Sequence, residues 1–279
     1  MASRTSTQPL VSICIPHWQV ESLAKICLRS IRRHSARYNL EVIVVDNGSA
    51  DQSLDWLRSL SWVKLIERPE ESPANWPLNV FTAWDRGLRE ARGKYFVTMH
   101  TDVFIKRPDW LDPCRREIGR RDDVAGVGAW KLDLESPWYS LQKRVIGRAL
   151  RTLKGLMGRK SKAANRDGHY PRDYCAMYRR ELLLERGLTF RPIHGQGGGY
   201  SIAKQIWDAG LVTRMIPVPE LVPRLVHVAH GTAAIAADKP LNHQQAQRKV
   251  ERKVARLFAE NWVCQLRDDD SLDEARSAA

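Results

Sequence analysis

The chain has 279 residues, 43% of them apolar and 28% charged, proportions of a globular protein that argue against a disordered chain, a collagen-like fibre or a membrane channel. Lysine and arginine number 45 against 32 acidic residues, leaving a formal charge of +13 that points to an anionic partner such as nucleic acid, acidic lipid or a phosphorylated substrate. Cysteines at positions 14, 27, 114, 175 and 264 form no CxxC pair, which argues against a zinc ribbon or disulfide framework and favours a reducing compartment.

Residues 1–10 read as a polar arm without the apolar core of a secretory signal. No window approaches the ~18 apolar residues of a spanning helix, so the cytoplasm is the expected location. VSICIP (11–16) reads as a buried strand stopped by proline. Residues 21–34 carry Leu23, Ile26, Cys27, Ser30 and Ile31 at helical spacing. EVIVVD (41–46) is a β-branched run of the kind covered on both faces in a parallel sheet. It ends in the turn-forming DNGSAD (46–51), and a helix follows. VKLIE (63–67) predicts a third strand, 78–92 a helix ended by Gly93, and KYFVTMHTDV (94–103) the next strand and its exit. A helix over 109–121, a strand over 124–131, and a strand running into a helix over 173–187 come next. A glycine loop over 191–200, a helix over 200–209 and short strands over 211–217 and 224–228 complete the alternation. That alternation predicts an α/β fold with a mostly parallel sheet flanked by helices.

Two helical stretches stand apart. Residues 140–162 hold eight basic residues and no acidic one. Leu141, Val145, Ile146, Ala149, Leu150, Leu153, Leu156 and Met157 share half of a helical wheel, with Lys143, Arg144, Arg148, Arg151 and Lys154 opposite. Such a helix either packs its apolar face on a core or lies in an anionic bilayer surface. Residues 241–266 predict a last helix with Val250, Val254, Leu257, Phe258, Trp262 and Leu266 on one side, followed by a frayed tail. The layout expected is an arm at 1–10, an α/β domain at 11–236 with 140–162 as an insert, a C-terminal helical segment at 237–266 and a tail at 267–279.

In open α/β sheets ligands bind at the carboxyl ends of strands. Three strands end in conspicuous residues: Pro16-His17, Asp46-Asn47-Gly48-Ser49 and His100-Thr101-Asp102. Asp46 can accept a hydrogen bond from a base or ribose, or serve as an Asx turn that caps the next helix. His100 and Asp102, two apart in an extended segment, point the same way and can reach one divalent cation; a strand-end turn is the alternative. His227 and His230 in HVAHGTA either add a metal ligand or pack in a loop. There is no GxGxxG, Walker loop or GxSxG, which argues against dinucleotide, P-loop and serine-hydrolase chemistry.

Taken in order, VSICIPHW, EVIVVDNGSADQS, GLREARGKYFVTMHTDVF, YCAMYRREL, the glycine loop and HVAHGT resemble a bacterial family 2 glycosyltransferase of the GT-A fold. The resemblance covers roughly residues 11–235. It implies that Pro16, His17, Asp46, Asn47 and Thr101 line a nucleotide pocket. It also implies that His100-Thr101-Asp102 is the Asp-X-Asp metal motif, completed by His230 or, alternatively, His227. Imidazole at position 100 favours Mn²⁺ over Mg²⁺, which prefers oxygen. Inverting members carry Glu-Asp before the helix that ends near Asp208-Ala209-Gly210; here Gly198 and Gly199 fall there, and His194 is the nearest titratable substitute for the base. The expected activity is metal-dependent, inverting transfer of a sugar from a nucleotide diphosphate sugar to a saccharide or lipid-linked acceptor. Cell-envelope polysaccharide or glycolipid synthesis is the expected setting, with 140–162 as a peripheral contact on the inner face of the plasma membrane. A non-catalytic or altered GT-A nucleotide-sugar-binding protein is the first alternative and a basic nucleic-acid-binding protein the second. Nucleic acid is not an expected partner, because charge alone suggests it and no helix-turn-helix, zinc-finger or RNP pattern is present.

Overall fold

A computed structural model describes residues 10–132, 169–236 and 244–274. The basic stretch 140–162 and the arm at 1–9 lie outside the described residues.

The β-branched runs become strands buried on both faces. In β1 (Val11–His17) every residue is buried, as in β4 (Tyr95–Met99), and in β2 (Leu40–Asp46) all but Leu40 are. Alternate side chains enter two separate cores. Ile13 and Ile15 of β1 meet α1 (Glu21–His34), whose Leu23, Ile26, Cys27 and Ile31 are buried, while Cys14 packs with Ala83, Trp84 and Leu88 of α3 (Leu78–Glu90) on the other face. Fully burying an aliphatic side chain of this kind stabilises by about 1.5–3 kcal/mol, so the two layers fix the register.

Between these elements run α2 (Ser53–Ser59) and β3 (Val63–Glu67). Beyond β4 come β5 (Val103–Ile105), α4 (Asp112–Ile118), β6 (Val124–Ala129), β7 (Cys175–Arg179), α5 (Arg180–Glu185), α6 (Gly199–Asp208), β8 (Val212–Ile216), α7 (Val218–Leu221), β9 (Leu225–His227), α8 (Gly231–Ile235), α9 (Gln244–Phe258) and α10 (Asn261–Asp268). The main sheet has seven strands in the order β3-β2-β1-β4-β7-β6-β8, all parallel except β7, which runs antiparallel to both neighbours. A second sheet pairs β5 with β9, setting Val103 opposite His227.

Three expectations change. Gly93 does not cap α3: that helix ends at Glu90 with Ala91 extended, and a Cβ at position 93 would lie 2.6 Å from the Ser12 backbone nitrogen. The glycine is there because the chain passes against β1. The last helix is two helices, broken where Glu260 turns extended. No glycine or proline marks that break, so the helical pattern reads through it. The tail is not frayed as far as residue 274. Arg29 of α1, fully buried, donates to Asp273 Oδ1 at 2.8 Å and Oδ2 at 2.6 Å, to the Leu266 carbonyl at 3.2 Å, and to the Arg267 carbonyl and Asp270. Trp56 and Trp62 donate to Asp273 as well. Among the described residues no helix is long and apolar enough to cross a membrane.

Candidate active site

The carboxyl ends of β1, β2 and β4 border a cavity of about 550 Å³, a size typical of small-molecule sites. His100 and Asp102 follow β4 on its wall, and β9, held against β5, adds His227 from 125 residues beyond Asp102. The three present donor atoms that all lie within 4.8 Å of one another. His100 Nδ1 is 3.8 Å and His227 Nε2 3.5 Å from Asp102 Oδ1. One ion with ligand bonds near 2.1 Å spans donors up to about 4 Å apart, so both pairs fit a shared cation.

Asp102 Oδ1 and His227 Nε2, which face each other, are buried without a hydrogen-bond partner among the described residues, as are His227 Nδ1 and the far ring nitrogen of His100, Nε2. Buried polar atoms are normally satisfied, and a cation would satisfy Asp102 Oδ1 and one nitrogen of His227. Packing holds the rings in place: His100 stacks on Trp84 at 5.4 Å and His227 on Tyr174 at 4.5 Å. Asp102 Oδ2 accepts the Gly231 N–H at 3.0 Å. Burial alone would raise the Asp102 carboxyl, but His227, His100 and the Gly231 amide outweigh it and the net shift is downward. Desolvation lowers the His100 imidazole against the pull of Asp173 and Asp102. An ionised carboxylate beside neutral imidazole is the protonation state that binds metal.

His230 stands apart from this cluster. It is exposed, takes a left-handed φ of 69° at the start of α8, and meets the cavity without joining the three donors. On the nucleotide side, Pro16, His17, Asn47 and Thr101 line the cavity. His17 Nε2 lies 2.8 Å from Ser53 Oγ, and burial lowers its pKa despite Asp46 and Asp51. Asn47 accepts from Arg68 at 2.9 Å through Oδ1. Asp46 is buried behind the wall, with its carboxylate accepting the Ser49 amide at 3.0 Å and the Ser49 hydroxyl, which ties down the turn over residues 46–49. His194 is exposed at the tip of the turn closed by Ile193 and Gln196, away from the cavity wall.

The stretch 12–187 matches the family model described as Glycosyl transferase family 2. The chain belongs to that family. An uncharacterized glycosyltransferase of Haemophilus influenzae is 29% identical over 122 residues, covering 44% of this chain and 36% of the relative. The uncharacterized glycosyltransferase EpsJ of Bacillus subtilis is 25% identical over 186 residues, covering 65% and 51%. The chain thus spans between about a third and a half of these relatives. Among solved structures, the mannosyltransferase PcManGT from Pyrobaculum calidifontis, in complex with GDP-Man and Mn²⁺, aligns with 93% of this chain and 73% of its own at a TM-score of 0.55 and 20% identity. Staphylococcus aureus TarS 1–349 aligns with 91% and 73% at 0.51 and 13%. At these identities the likeness shows the fold alone, and that fold is GT-A.

The family 2 match ends at residue 187, yet His227 and the cavity residues Val250 and Lys253 of α9 lie beyond it. Sequence reasoning also missed Trp84, Lys131, Arg172, Asp173 and Tyr174 on the wall. Arg172-Asp173-Tyr174 directly precede a strand, a position that carries a site only if the strand runs antiparallel.

Proposed function

We propose that the protein transfers a glycosyl group from a nucleoside diphosphate sugar to an acceptor hydroxyl with inversion, using a divalent cation held by His100, Asp102 and His227. The convergence of those three donors, with ring nitrogens otherwise unpartnered, carries the reading. A bound cation there would offset charge on the leaving diphosphate, the main electrostatic demand of such a reaction. The nitrogen-rich donor set favours Mn²⁺ over Mg²⁺. Lys131, Arg172 and Lys253, also on the wall, supply positive charge for the phosphates. Pro16, His17, Asn47 and Thr101 border the nucleoside end, and Asp46 orders the turn that positions Asn47. A role in cell-envelope polysaccharide or glycolipid synthesis, from the cytoplasmic face of the membrane, is part of the same proposal and rests on the basic stretch 140–162.

The test is a donor-hydrolysis screen over UDP-, GDP- and dTDP-sugars with Mn²⁺ and with EDTA. Release of nucleoside diphosphate from one class of donor, lost in EDTA and restored by Mn²⁺, is expected. Turnover undiminished in EDTA would sink the metal assignment.

A further inference from the structure

The loop entering α6 has glycine at 197, 198 and 199, where the family resemblance leads one to look for a carboxylate. Its backbone cannot carry one. Gly198 has φ 62° and ψ −136°, a conformation that is essentially glycine's own, and a Cβ there would overlap the Asp173 carboxylate. A Cβ at Gly199 would lie 2.6 Å from the Pro171 carbonyl oxygen. The space a side chain at 198 would enter is filled instead by an acid from another part of the chain.

Asp173 comes there because β7 is antiparallel. Cys175 pairs with Met99, and the His100 N–H donates to the Tyr174 carbonyl at 3.1 Å. The residues just before β7 therefore sit just past the end of β4, beside the candidate metal ligands. Asp173 is half-buried on the cavity wall, and its Oδ2 accepts the Gly199 N–H at 3.2 Å. Among the described residues the wall has two carboxylates, Asp102 and Asp173. Asp102 Oδ1 faces His227 Nε2 at 3.5 Å and its Oδ2 holds the Gly231 N–H, whereas the Gly199 N–H is the one donor that Asp173 meets among the described residues.

We propose that Asp173 is the general base of the transfer, in place of the carboxylate that Gly198 and Gly199 cannot bear. The inference rests on the transferase reading above. In one displacement the acceptor O–H gives its proton to the Asp173 carboxylate. The freed electron pair forms the new O–C1 bond, and the bond from C1 to the diphosphate oxygen breaks with its pair leaving on the nucleoside diphosphate.

Asp173→Asn separates this role from helix capping. Its amide oxygen still accepts the Gly199 N–H, since Asn caps as well as Asp, but it takes no proton. With water as acceptor and the donor found by the screen, kcat for Asp173→Asn should fall roughly 10²–10⁴-fold. Donor KM, Mn²⁺-dependent binding of the matching nucleoside diphosphate by calorimetry, and the melting temperature should hold. Asp173→Ala should lose as much rate and also melt earlier. If only the Ala variant is impaired, Asp173 is a cap and the assignment is overturned. Equal loss of nucleotide binding and rate in Asp173→Asn would also overturn it, as would a rate loss in His194→Ala with none in Asp173→Asn. Wild-type protein that neither binds nucleotide with Mn²⁺ nor turns over any donor would overturn the transferase reading itself, a result distinct from an Asp173→Asn enzyme at full rate.

Discussion

At the residue scale, His227 and His230 illustrate what three positions do to a side chain. Both sit in the same HVAHGTA stretch. His227 ends β9, lies 11% exposed, stacks on Tyr174 and closes on Asp102; His230 starts α8 with its ring at the surface. His227→Ala should therefore weaken Mn²⁺ binding at least about tenfold, the scale on which even outer partners of a metal site matter. His230→Ala should have the smaller effect. Mn²⁺ titration by calorimetry, with the nucleoside diphosphate present, checks the order, and a larger loss at His230 would reverse it. Asp46 makes a related point. The residue type suits either a nucleotide contact or an Asx turn, and in the fold its oxygens are taken by Ser49.

At the element scale, the C-terminal segment is held by one buried cation. Arg29 gathers Asp270, Asp273 and two carbonyls of α10, while Arg33 pairs with Asp269 at 2.8 Å and Arg32 donates to the Glu274 carbonyl at 2.7 Å. This anchors α10 on α1, and through α9 it reaches the cavity wall at Val250 and Lys253. Removing one partner of a buried ion pair costs about 3–5 kcal/mol. Arg29→Ala should lower unfolding free energy by about that much, read from a urea titration; a change within ~0.5 kcal/mol, typical of surface substitutions, would mean that the anchor contributes nothing. The same cluster sets an acid limit. Burial raises the Asp273 carboxyl, but hydrogen bonds from Arg29 and Trp56 outweigh it, and the net pKa lies below the ordinary carboxylate value. A depressed carboxylate stabilises the fold above its unfolded pKa, about 3.9, and that contribution is lost as pH falls through the lower folded value. Wild-type stability should drop across that window more steeply than that of Asp273→Asn, and parallel curves would remove Asp273 from the account.

At the scale of the whole molecule, the charge of +13 is unevenly spread along the chain. Eight of the basic residues fall in 140–162 without a single acid. In the chain this stretch falls between β6 and β7, and the described residues Lys131, after β6, and Arg172, before β7, line the cavity. Each basic side chain near an anionic surface contributes ~1 kcal/mol, an effect that fades beyond a Debye length. The protein should co-sediment with anionic vesicles at low salt. A variant with Lys143, Arg144, Arg148, Arg151 and Lys154 changed to Gln should not. Equal binding by both, or by neither, would reject the membrane contact.

The sequence by itself determined the local elements and the rim on which the site lies. The short apolar run at 11–16 and the β-branched run at 42–45 suit a covered sheet, and the helical spacing of Leu23, Ile26, Cys27 and Ile31 places α1 against it. His100 and Asp102 are two residues apart in the chain, but they converge through a turn and not through alternation along a strand: β4 ends at Met99, and the Val103 N–H closes residues 100–103 on the His100 carbonyl at 3.2 Å. What lies far apart in the chain was decided by tertiary structure. The choice of His227 depends on β9 pairing with β5. The break between α9 and α10 is set by packing where no glycine or proline marks it. Asp173 enters the site because β7 runs against its neighbours. Alternating strands and helices suggest a parallel sheet, in which only carboxyl ends face the ligand; reversing one strand turns its amino end, and the acid just before it, into the cavity. Pairing direction is an outcome of long-range burial and hydrogen bonding, and no short stretch of residues encodes it.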